Sequence, residues 1–335
     1  RYFKCKLDRV HLTGTKLCRH RIMHHTITNE RDQLYMMNET RAFLESLGLP
    51  GGDLYNLPES NKRFNDGAQY RFEVPGIQGP KVLEALLEAI DTYGISLHRI
   101  TQTKGIMLLT DNEIIEMVRL TKEAEAELVL SIGPRATTDT SASVNTPEGV
   151  RMGYRLRGQE QVVRAVEDVK RAVAFGCHSF LVYDEGNLWL LNEMKNAGEI
   201  PANCRFKVSA HTGHGNPCSA RLLEMIGASS INPVRDIQLQ MLAAMRQAVD
   251  IPIDIHTENP KSTGGFIRHY EVPEMIRVAA PIYLKTGGSV AQTHSWESSA
   301  DDARKRAKQV HLVQRMIDQY YPEAIVSEKG SIGLK

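Results

Sequence analysis

The chain lacks the features that would assign it at once to a membrane or nucleic-acid-binding class. No apolar stretch approaches the ~20 residues that a membrane helix needs, and the sequence starts at Arg1 without the apolar core of a signal peptide. The formal net charge is only +1, so no overall field attracts nucleic acid or a membrane surface. We therefore expect a cytoplasmic protein with neither nucleic acid nor a membrane among its partners.

Cysteine is scarce and scattered along the chain. The five cysteines form no C-x-x-C pair, and their odd number argues against a disulfide framework or a zinc ribbon. A complete dinucleotide-binding loop is missing as well. In KVSAHTGHGNP (207–217), Gly213 and Gly215 are followed by Cys218 where G-x-G-x-x-G needs its third glycine. We expect no NAD cofactor.

What is present is an alternation of strand and helix patterns from residue 70 onward. Eight runs rich in β-branched and aromatic residues alternate with helical segments whose apolar positions are three and four residues apart. The runs cover residues 70–74, 98–103, 127–133, 178–185, 205–210, 229–234, 251–257 and 281–286. Several show no apolar–polar alternation, which indicates strands that are buried on both faces.

Eight β-then-α units in roughly 250 residues predict an α/β protein, a (β/α)8 TIM barrel. A doubly wound open sheet is the main competitor, but eight regular units fit closure better. We expect residues 1–69 to form an N-terminal extension that packs on the barrel, residues 70–325 to form the barrel, and residues 326–335 to be a C-terminal tail.

Barrel topology indicates which residues are candidates for chemistry, because active sites of this fold lie at the C-terminal ends of the strands. Seven or eight of the predicted strands end in polar, mostly ionisable side chains, and this convergence predicts an enzyme. The predicted catalytic residues are Glu185, His211, His256 and Lys285. The predicted substrate-binding residues are Gln102, Lys104, Arg135, Asn232, Arg235, Glu258, Gly264, Gly265, Gly287 and Gly288.

A divalent metal site is one interpretation of the histidines. Glu185, His211 and His256 end strands four, five and seven, and two imidazoles with one carboxylate suit a metal ion that polarises a substrate oxygen or activates water. The interpretation of equal weight is that the imidazoles serve as acid, base or hydrogen-bond partner without a metal.

Glycine-rich loops follow the last two strands. KSTGGFIRHY (261–270) and KTGGS (285–289) lie where such barrels commonly hold a phosphate, and their turns can offer several amide groups to one anion. Arg135 and Arg235 add bidentate donors for carboxylate or phosphate. These features predict a small anionic substrate, with residues 136–158 as a lid over the site.

Lys285 has two interpretations. A strand-end lysine forms a Schiff base with a carbonyl substrate when burial or a cationic neighbour, here Arg235 or Lys104, lowers its pKa. Its context YLKTGG is similar to that of the strand-end lysine in class I aldolases of the deoxyribose-phosphate type. The neighbouring glycines and Thr286 favour a charged ammonium that holds an anion, which is the expectation that we prefer.

The segment from about residue 85 to 290 resembles peptidase family U32. The resemblance is carried by GIMLLTDNEIIEMV, SFLVYDEGNLWLLNEM, KVSAHTGHGNPCSARLLEMIGA and IPIDIHTENPKSTGGFIRHYEVPEMIRVAAPIYLKTG. It implies a TIM-like barrel. Members of the wider family include collagenase-like proteins and RNA- or quinone-modifying factors with cysteine-bound iron–sulfur clusters. This chain departs from both groups, because four convergent thiolates are missing and no Ser/His/Asp or Cys/His arrangement stands out.

These observations lead to one main hypothesis and three alternatives. The main hypothesis is a barrel enzyme that acts on a small anionic metabolite by metal- or histidine-assisted lyase or hydrolase chemistry. The alternatives are a class I aldolase that uses Lys285, a peptidase, and a binding protein without catalytic activity. An iron–sulfur cluster is not expected, and association of identical copies is left open.

Overall fold

The computed structural model describes residues 37–134, 154–291 and 297–332. Its centre is a closed barrel of eight parallel strands, in which neighbours in sequence pair and the eighth strand pairs with the first. The strands are β1 (Tyr70–Pro75), β2 (Arg99–Gln102), β3 (Glu127–Ser131), β4 (Ser179–Val182), β5 (Arg205–Val208), β6 (Ser230–Ile231), β7 (Ile253–His256) and β8 (Ile282–Lys285). The predicted (β/α)8 barrel is confirmed, and each strand lies within or next to its predicted run.

A helix follows every strand on the outside of the barrel. The α-helices of the described residues are α1 (Asn38–Ser46), α2 (Pro80–Thr92), α3 (Asp111–Glu123), α4 (Gly158–Ala174), α5 (Glu185–Asn196), α6 (Pro217–Met225), α7 (Leu239–Ala248), α8 (Val272–Ala279) and α9 (Ala300–Tyr320). Side-chain caps fix where several of them begin. Asp184 caps α5 and Asn216 caps α6 by accepting a backbone N–H of the first turn. These caps fix the start of α5, whose first residue is Glu185, and the end of the loop that carries His211.

The strands bury both faces, as expected, but the two faces differ in chemistry. On β1, Phe72 and Val74 belong to the main hydrophobic core with the helices, whereas Glu73 between them contacts a side chain from the neighbouring strand β8 and one from β5 across the barrel. On β7, Ile253 and Ile255 join the core while Asp254 contacts β5. The barrel interior is therefore largely polar, and the period-2 alternation of a strand separates apolar from ionisable residues.

Segments before β1 and after α9 pack on the N-terminal end of the barrel. Arg71, near the start of β1, donates to Ser327 Oγ at 2.8 Å and to Ser331 Oγ at 3.2 Å. The centroid of the Phe64 ring lies 3.9 Å from the guanidinium carbon of Arg71. Part of the predicted C-terminal tail thus packs directly on the barrel. No helix of the described ranges combines the length and apolar character that crossing a bilayer requires.

His98 links the segment after α9 to the barrel. The backbone N–H of Phe72 donates to His98 Nδ1 at 3.1 Å, so that Nε2 carries the proton and donates to the carbonyl of Ser327 at 2.7 Å. Burial, together with Arg71, lowers the pKa of His98 to about 4, although the carbonyl of Ser327 partly opposes this shift. The folded protein therefore holds His98 as a neutral ring.

We expect acid to destabilise the fold through His98. In the unfolded chain a histidine takes up a proton near pH 6.5, whereas folded His98 resists protonation down to about pH 4. The unfolded state therefore binds more protons as the pH falls through this window, which costs about 3 kcal/mol of stability by pH 4. Urea unfolding of wild type and His98→Gln between pH 7 and 4.5 should give a flatter pH dependence for the variant. Parallel curves for the two proteins would contradict this account.

Candidate functional site

Three predicted site residues meet at the C-terminal ends of β6, β7 and β8. Lys285 is the last residue of β8, His256 is the last of β7, and Asn232 follows β6. The Asn232 amide contacts both of the others: Lys285 Nζ lies 3.1 Å from Asn232 Oδ1, and His256 Nδ1 lies 3.1 Å from Asn232 Nδ2. All three side chains are buried. The structure thus assembles these three residues into one contiguous group.

Below this group lies a network of buried charges, which we call the interior ion cluster: Glu73, Arg99, Lys207, Asp254 and Lys285. Glu73 forms an ion pair with Lys207, and Lys207 also lies 2.9 Å from an oxygen of Asp254. Arg99 lies 3.1 Å from Asp254 and 3.6 Å from Glu73. Lys285 Nζ lies 3.5 Å from the second oxygen of Glu73. Five strands therefore contribute one charged side chain each to a single connected cluster.

The cluster controls the protonation of its members. Burial opposes ionisation of Glu73, but Lys207, Lys285 and Arg99 outweigh it and hold the pKa of that carboxyl well below its usual range. For Lys285 the balance is reversed. Burial and then the charge of Lys207 lower its pKa to about 7, and Glu73 and Asp254 oppose this shift only in part. Near neutral pH, a large fraction of Lys285 is the uncharged amine.

His256 is neutral in the same environment. Burial, followed by the charge of Lys285, lowers the pKa of His256 well below its ordinary value. Its Nδ1 atom faces the amide nitrogen of Asn232. A neutral imidazole has one ring nitrogen that donates a hydrogen bond and one that accepts.

The cationic neighbour of Lys285 is a residue that was not among the sequence-based candidates. We expected Arg235 or Lys104; the structure assigns the largest cationic effect to Lys207, with a smaller one from Arg235. Lys104 lies in the turn after β2, where its backbone N–H donates to Gln78 Oε1 at 3.0 Å. Gln102 bonds both backbone groups of Gly105 in the same turn, so its amide is used to shape the loop.

His211 lies in an aromatic group at the same end of the barrel. Its ring stacks on Tyr154 with centroids 3.7 Å apart, and Arg235 Nη2 lies 3.0 Å from its Nε2 atom. Because a guanidinium only donates, Nε2 accepts and the proton of a neutral ring is on Nδ1. Tyr183 stacks on Tyr154 with centroids 5.4 Å apart. The group combines a cation with flat rings, which suits a substrate with both anionic and planar parts.

Glu185 has partners other than the predicted metal ligands. At the start of α5, it forms ion pairs with Arg155 and His214. Within the described ranges, no three or more His, Cys, Asp or Glu side chains are arranged to hold a metal ion. The geometry therefore does not bring Glu185, His211 and His256 together as a ligand set, and metal dependence has no support from it.

The predicted anion loops are occupied by a carboxylate of the protein itself. Oε1 of buried Glu258 accepts the backbone N–H of Gly287 at 2.6 Å. Its Oε2 accepts the hydroxyl of Ser289 at 2.9 Å and lies 3.2 Å from His269 Nε2. Gly287 has a φ of 97°, and a Cβ there would lie 2.9 Å from the side chain of Arg306. Glu258 therefore fastens the loops after β7 and β8 together. It takes the amide that was expected to hold a substrate.

The other predicted residues of these loops serve the turn itself. Gly264 and Gly265 follow the short helix Lys261–Thr263 with φ values of 112° and 65°. Gly288 is the first residue of the short helix Gly288–Val290, and a Cβ there would lie 2.9 Å from the carbonyl of Glu258. Their conformations explain the glycines without a ligand. Arg135 and most of the predicted lid 136–158 lie outside the described residues.

Comparison with known proteins leaves the family of this chain open. No family model matches the chain, and no curated protein matches it. Among solved structures, a U32 peptidase has a TM-score of 0.38 at 15% identity, over 59% of this chain and 73% of its own. A KDPGal aldolase has a TM-score of 0.46 at 11% identity, over 76% of this chain and 99% of its own. Neither likeness assigns this chain to a family.

We expect Glu73→Gln to destabilise the protein strongly. The substitution removes the anion that Lys207 and Lys285 share, and a buried charge left without its partner typically costs about 3–5 kcal/mol. The double variant Glu73→Gln/Lys207→Met removes a cation together with the anion and should recover part of the loss. Urea unfolding at pH 7 measures both effects. A Glu73→Gln variant within about 0.5 kcal/mol of wild type would show that the cluster is not coupled as described.

Proposed function

We propose that this protein is a lyase of the class I aldolase type, in which Lys285 forms an imine with the carbonyl group of a small anionic substrate. The observation that carries the proposal is the state of this lysine. It ends a barrel strand, it is buried, and its pKa is near 7 because of burial and the adjacent charge of Lys207. A lysine that merely holds an anion gains nothing from a neutral amine, so these surroundings favour the imine over the anion contact preferred from sequence.

The residues around Lys285 supply what imine chemistry requires. The neutral amine attacks the carbonyl carbon, a bond forms between Nζ and carbon, and the electron pair of the C=O double bond moves to oxygen, which takes a proton. That proton comes from Nζ, which gives up one of its two hydrogens. The hydroxyl then takes a second proton, from solvent, and leaves as water while the nitrogen lone pair completes the C=N bond. The protonated imine withdraws electrons and permits cleavage of the adjacent C–C bond. His256, neutral and bonded to the same Asn232 amide, is the group that we assign to the proton transfers.

A histidine-assisted lyase or hydrolase without an imine is the second candidate. It is favoured by the neutral state of His256 and by the pairing of Arg235 with His211 at the mouth of the barrel. A serine peptidase needs a histidine hydrogen-bonded to its serine hydroxyl. The hydroxyl of Ser131 contacts the carbonyl of Gln102 and the hydroxyl of Tyr183, with no histidine among these partners. The anionic character of the substrate, association of identical copies and a cytoplasmic location stay predictions.

Borohydride trapping tests the imine directly. We expect pyruvate or acetaldehyde, followed by sodium borohydride, to leave a stable secondary amine on Lys285, located by peptide mass spectrometry. Lys285→Met should abolish this adduct, because it keeps the side chain's bulk but removes the nucleophile. Lys81→Met, which changes an exposed lysine on α2, is the matched control and should be labelled at Lys285 like wild type.

The outcomes of this experiment separate the two candidates. An adduct on Lys285 supports the aldolase. No adduct with either probe, in a protein whose fold is intact by circular dichroism, would contradict the aldolase and transfer support to the histidine mechanism. Labelling spread over exposed lysines at equal rates would contradict it as well, because Lys285 would then have no special reactivity.

The pH dependence of labelling checks the electrostatic argument. The amine reacts only when it is neutral, so the trapping rate should rise about tenfold per unit at acidic pH and level off above about pH 7. An ordinary lysine would still be rising at pH 9, since its pKa is ~10.4. Lys207→Met removes the nearest cation and should move the midpoint upward by about one unit or more. A midpoint above pH 9 in wild type would contradict the assigned environment.

A further inference from the structure

The orientation of the Asn232 amide follows from its surroundings. One amide atom lies 2.7 Å from the backbone carbonyl oxygen of Asp254. A carbonyl oxygen only accepts, so this atom is the nitrogen Nδ2, and it donates one of its two hydrogens there. The other amide atom is therefore the oxygen Oδ1, which faces Lys285 Nζ at 3.1 Å. Asn232 is 1% exposed, so water does not compete for these contacts.

The remaining hydrogen of the amide determines the state of His256. Nδ2 lies 3.1 Å from His256 Nδ1, and its second hydrogen is directed to that atom. The Nδ1 atom must then be the acceptor, so a neutral His256 has its proton on Nε2. An amide neither gains nor loses a proton near neutral pH. The donor role of Asn232 Nδ2 and the acceptor role of His256 Nδ1 are therefore fixed.

The amine of Lys285 is constrained by the same side chain. As a neutral amine it has two hydrogens and one lone pair. Asn232 Oδ1 accepts one hydrogen, and Glu73 Oε1 lies 3.5 Å from Nζ as an ion-pair partner of the charged form. The hydrogen bond turns one N–H bond toward Oδ1, so the lone pair points away from that oxygen. An amine in this state is oriented for attack on a carbonyl carbon before the substrate arrives.

We propose that Asn232 is a positioning residue that couples the two reacting groups: one amide holds the amine of Lys285 through its oxygen and keeps His256 in the Nε2–H form through its nitrogen. The proposal deepens the function proposed for Lys285 and rests on it for its role in catalysis. The tautomer of His256 and the titration of Lys285, however, can be measured without any substrate.

Other charges act on both groups and are unchanged in the variants below. The groups that act on Lys285 are Lys207, Glu73, Asp254 and Arg235. The groups that act on His256 are Lys285, Arg235, Lys207 and His211. A difference between wild type and an Asn232→Asp variant therefore comes from replacing this amide with a carboxylate.

The test uses Asn232→Asp, which keeps an oxygen acceptor for Lys285 but has no hydrogen for His256 Nδ1. The probes are the ¹⁵N resonances of His256, assigned with His256→Gln, and the titration of the Lys285 ¹³Cε resonance, assigned with Lys285→Arg. Wild type should show a protonated Nε2 and an unprotonated Nδ1. In Asn232→Asp, Nδ1 should become protonated, and the Lys285 midpoint should rise by about one unit or more, because a carboxylate now faces the amine.

Asn196→Asp, on the exposed end of α5, is the matched control for the added charge and should leave both spectra as in wild type. An Nδ1–H tautomer in wild type would overturn the proposal without need of any variant, even if Asn232→Asp fails to fold. Unchanged His256 and Lys285 signals in a folded Asn232→Asp protein would overturn it too. Should the tautomer be as stated while borohydride traps nothing, the imine fails and the positioning of His256 stands.

Discussion

The pairing of charges inside the barrel is the constraint on which the rest of this structure depends. The interior is closed by hydrogen bonds all the way round, so a charge on an inward-facing position has no bulk water to solvate it. Glu73, Lys207 and Asp254 satisfy one another only because strands from different parts of the chain are held at barrel distances. Removing one charge from a buried network generally costs more than the complete network contributes. Such a cluster is therefore weak evidence for selection for stability alone, and its position beneath the predicted reacting groups relates it to function.

The charge balance of the interior explains why Lys285 can lose its proton. Three carboxylates, on Glu73, Glu127 and Asp254, face the interior. Arg99 contacts all three, Lys207 pairs with Glu73 and Asp254, and Arg205 lies 3.7 Å from Glu127. These three cations balance the three anions without Lys285. A neutral Lys285 therefore leaves the network compensated, whereas a charged one adds a fourth cation next to Lys207. The same arrangement that keeps Glu73 ionised lowers the pKa of Lys285.

The fold could be predicted from the sequence because strand and helix patterns repeat eight times, and the repeat number limits the topology. Part of the site followed directly, since Asn232, His256 and Lys285 end consecutive strands. Lys207 was missed because it lies inside β5, away from the strand end. The signal was present: Arg205, Lys207 and Ser209 alternate with apolar residues, as Arg71 and Glu73 do on β1. When charged residues occupy every second position of a barrel strand and apolar residues occupy the positions between them, the charged side chains share one face of the strand. This pattern indicates an ionic barrel interior.

Other features could not be read from sequence because they depend on which side chains meet in three dimensions. The glycines after β7 and β8 have the composition of an anion site, but only the structure shows that Glu258 reaches the amide of Gly287. Likewise, Glu185 stands at a strand-to-helix junction where a metal ligand would fit, and its pairing with Arg155 joins residues 30 positions apart. A sequence rich in backbone N–H donors does not reveal whether a carboxylate of the protein itself already accepts their hydrogen bonds.

These internal pairings concentrate the reactive chemistry in a small region. Glu258 holds the loops after β7 and β8 together, and Glu185 pairs with Arg155 at the start of α5. Glu73 is committed to the ion cluster, where surrounding cations keep it ionised and unable to act as an acid near neutral pH. Among the predicted catalytic and cluster residues, Lys285 and His256 are the two that combine a lowered pKa with a place at the strand ends. They are adjacent because β7 and β8 pair in register with His256 opposite Lys285. The β-sheet register itself therefore brings the amine and the imidazole together, and Asn232, which follows the neighbouring strand β6, contacts both through its side-chain amide.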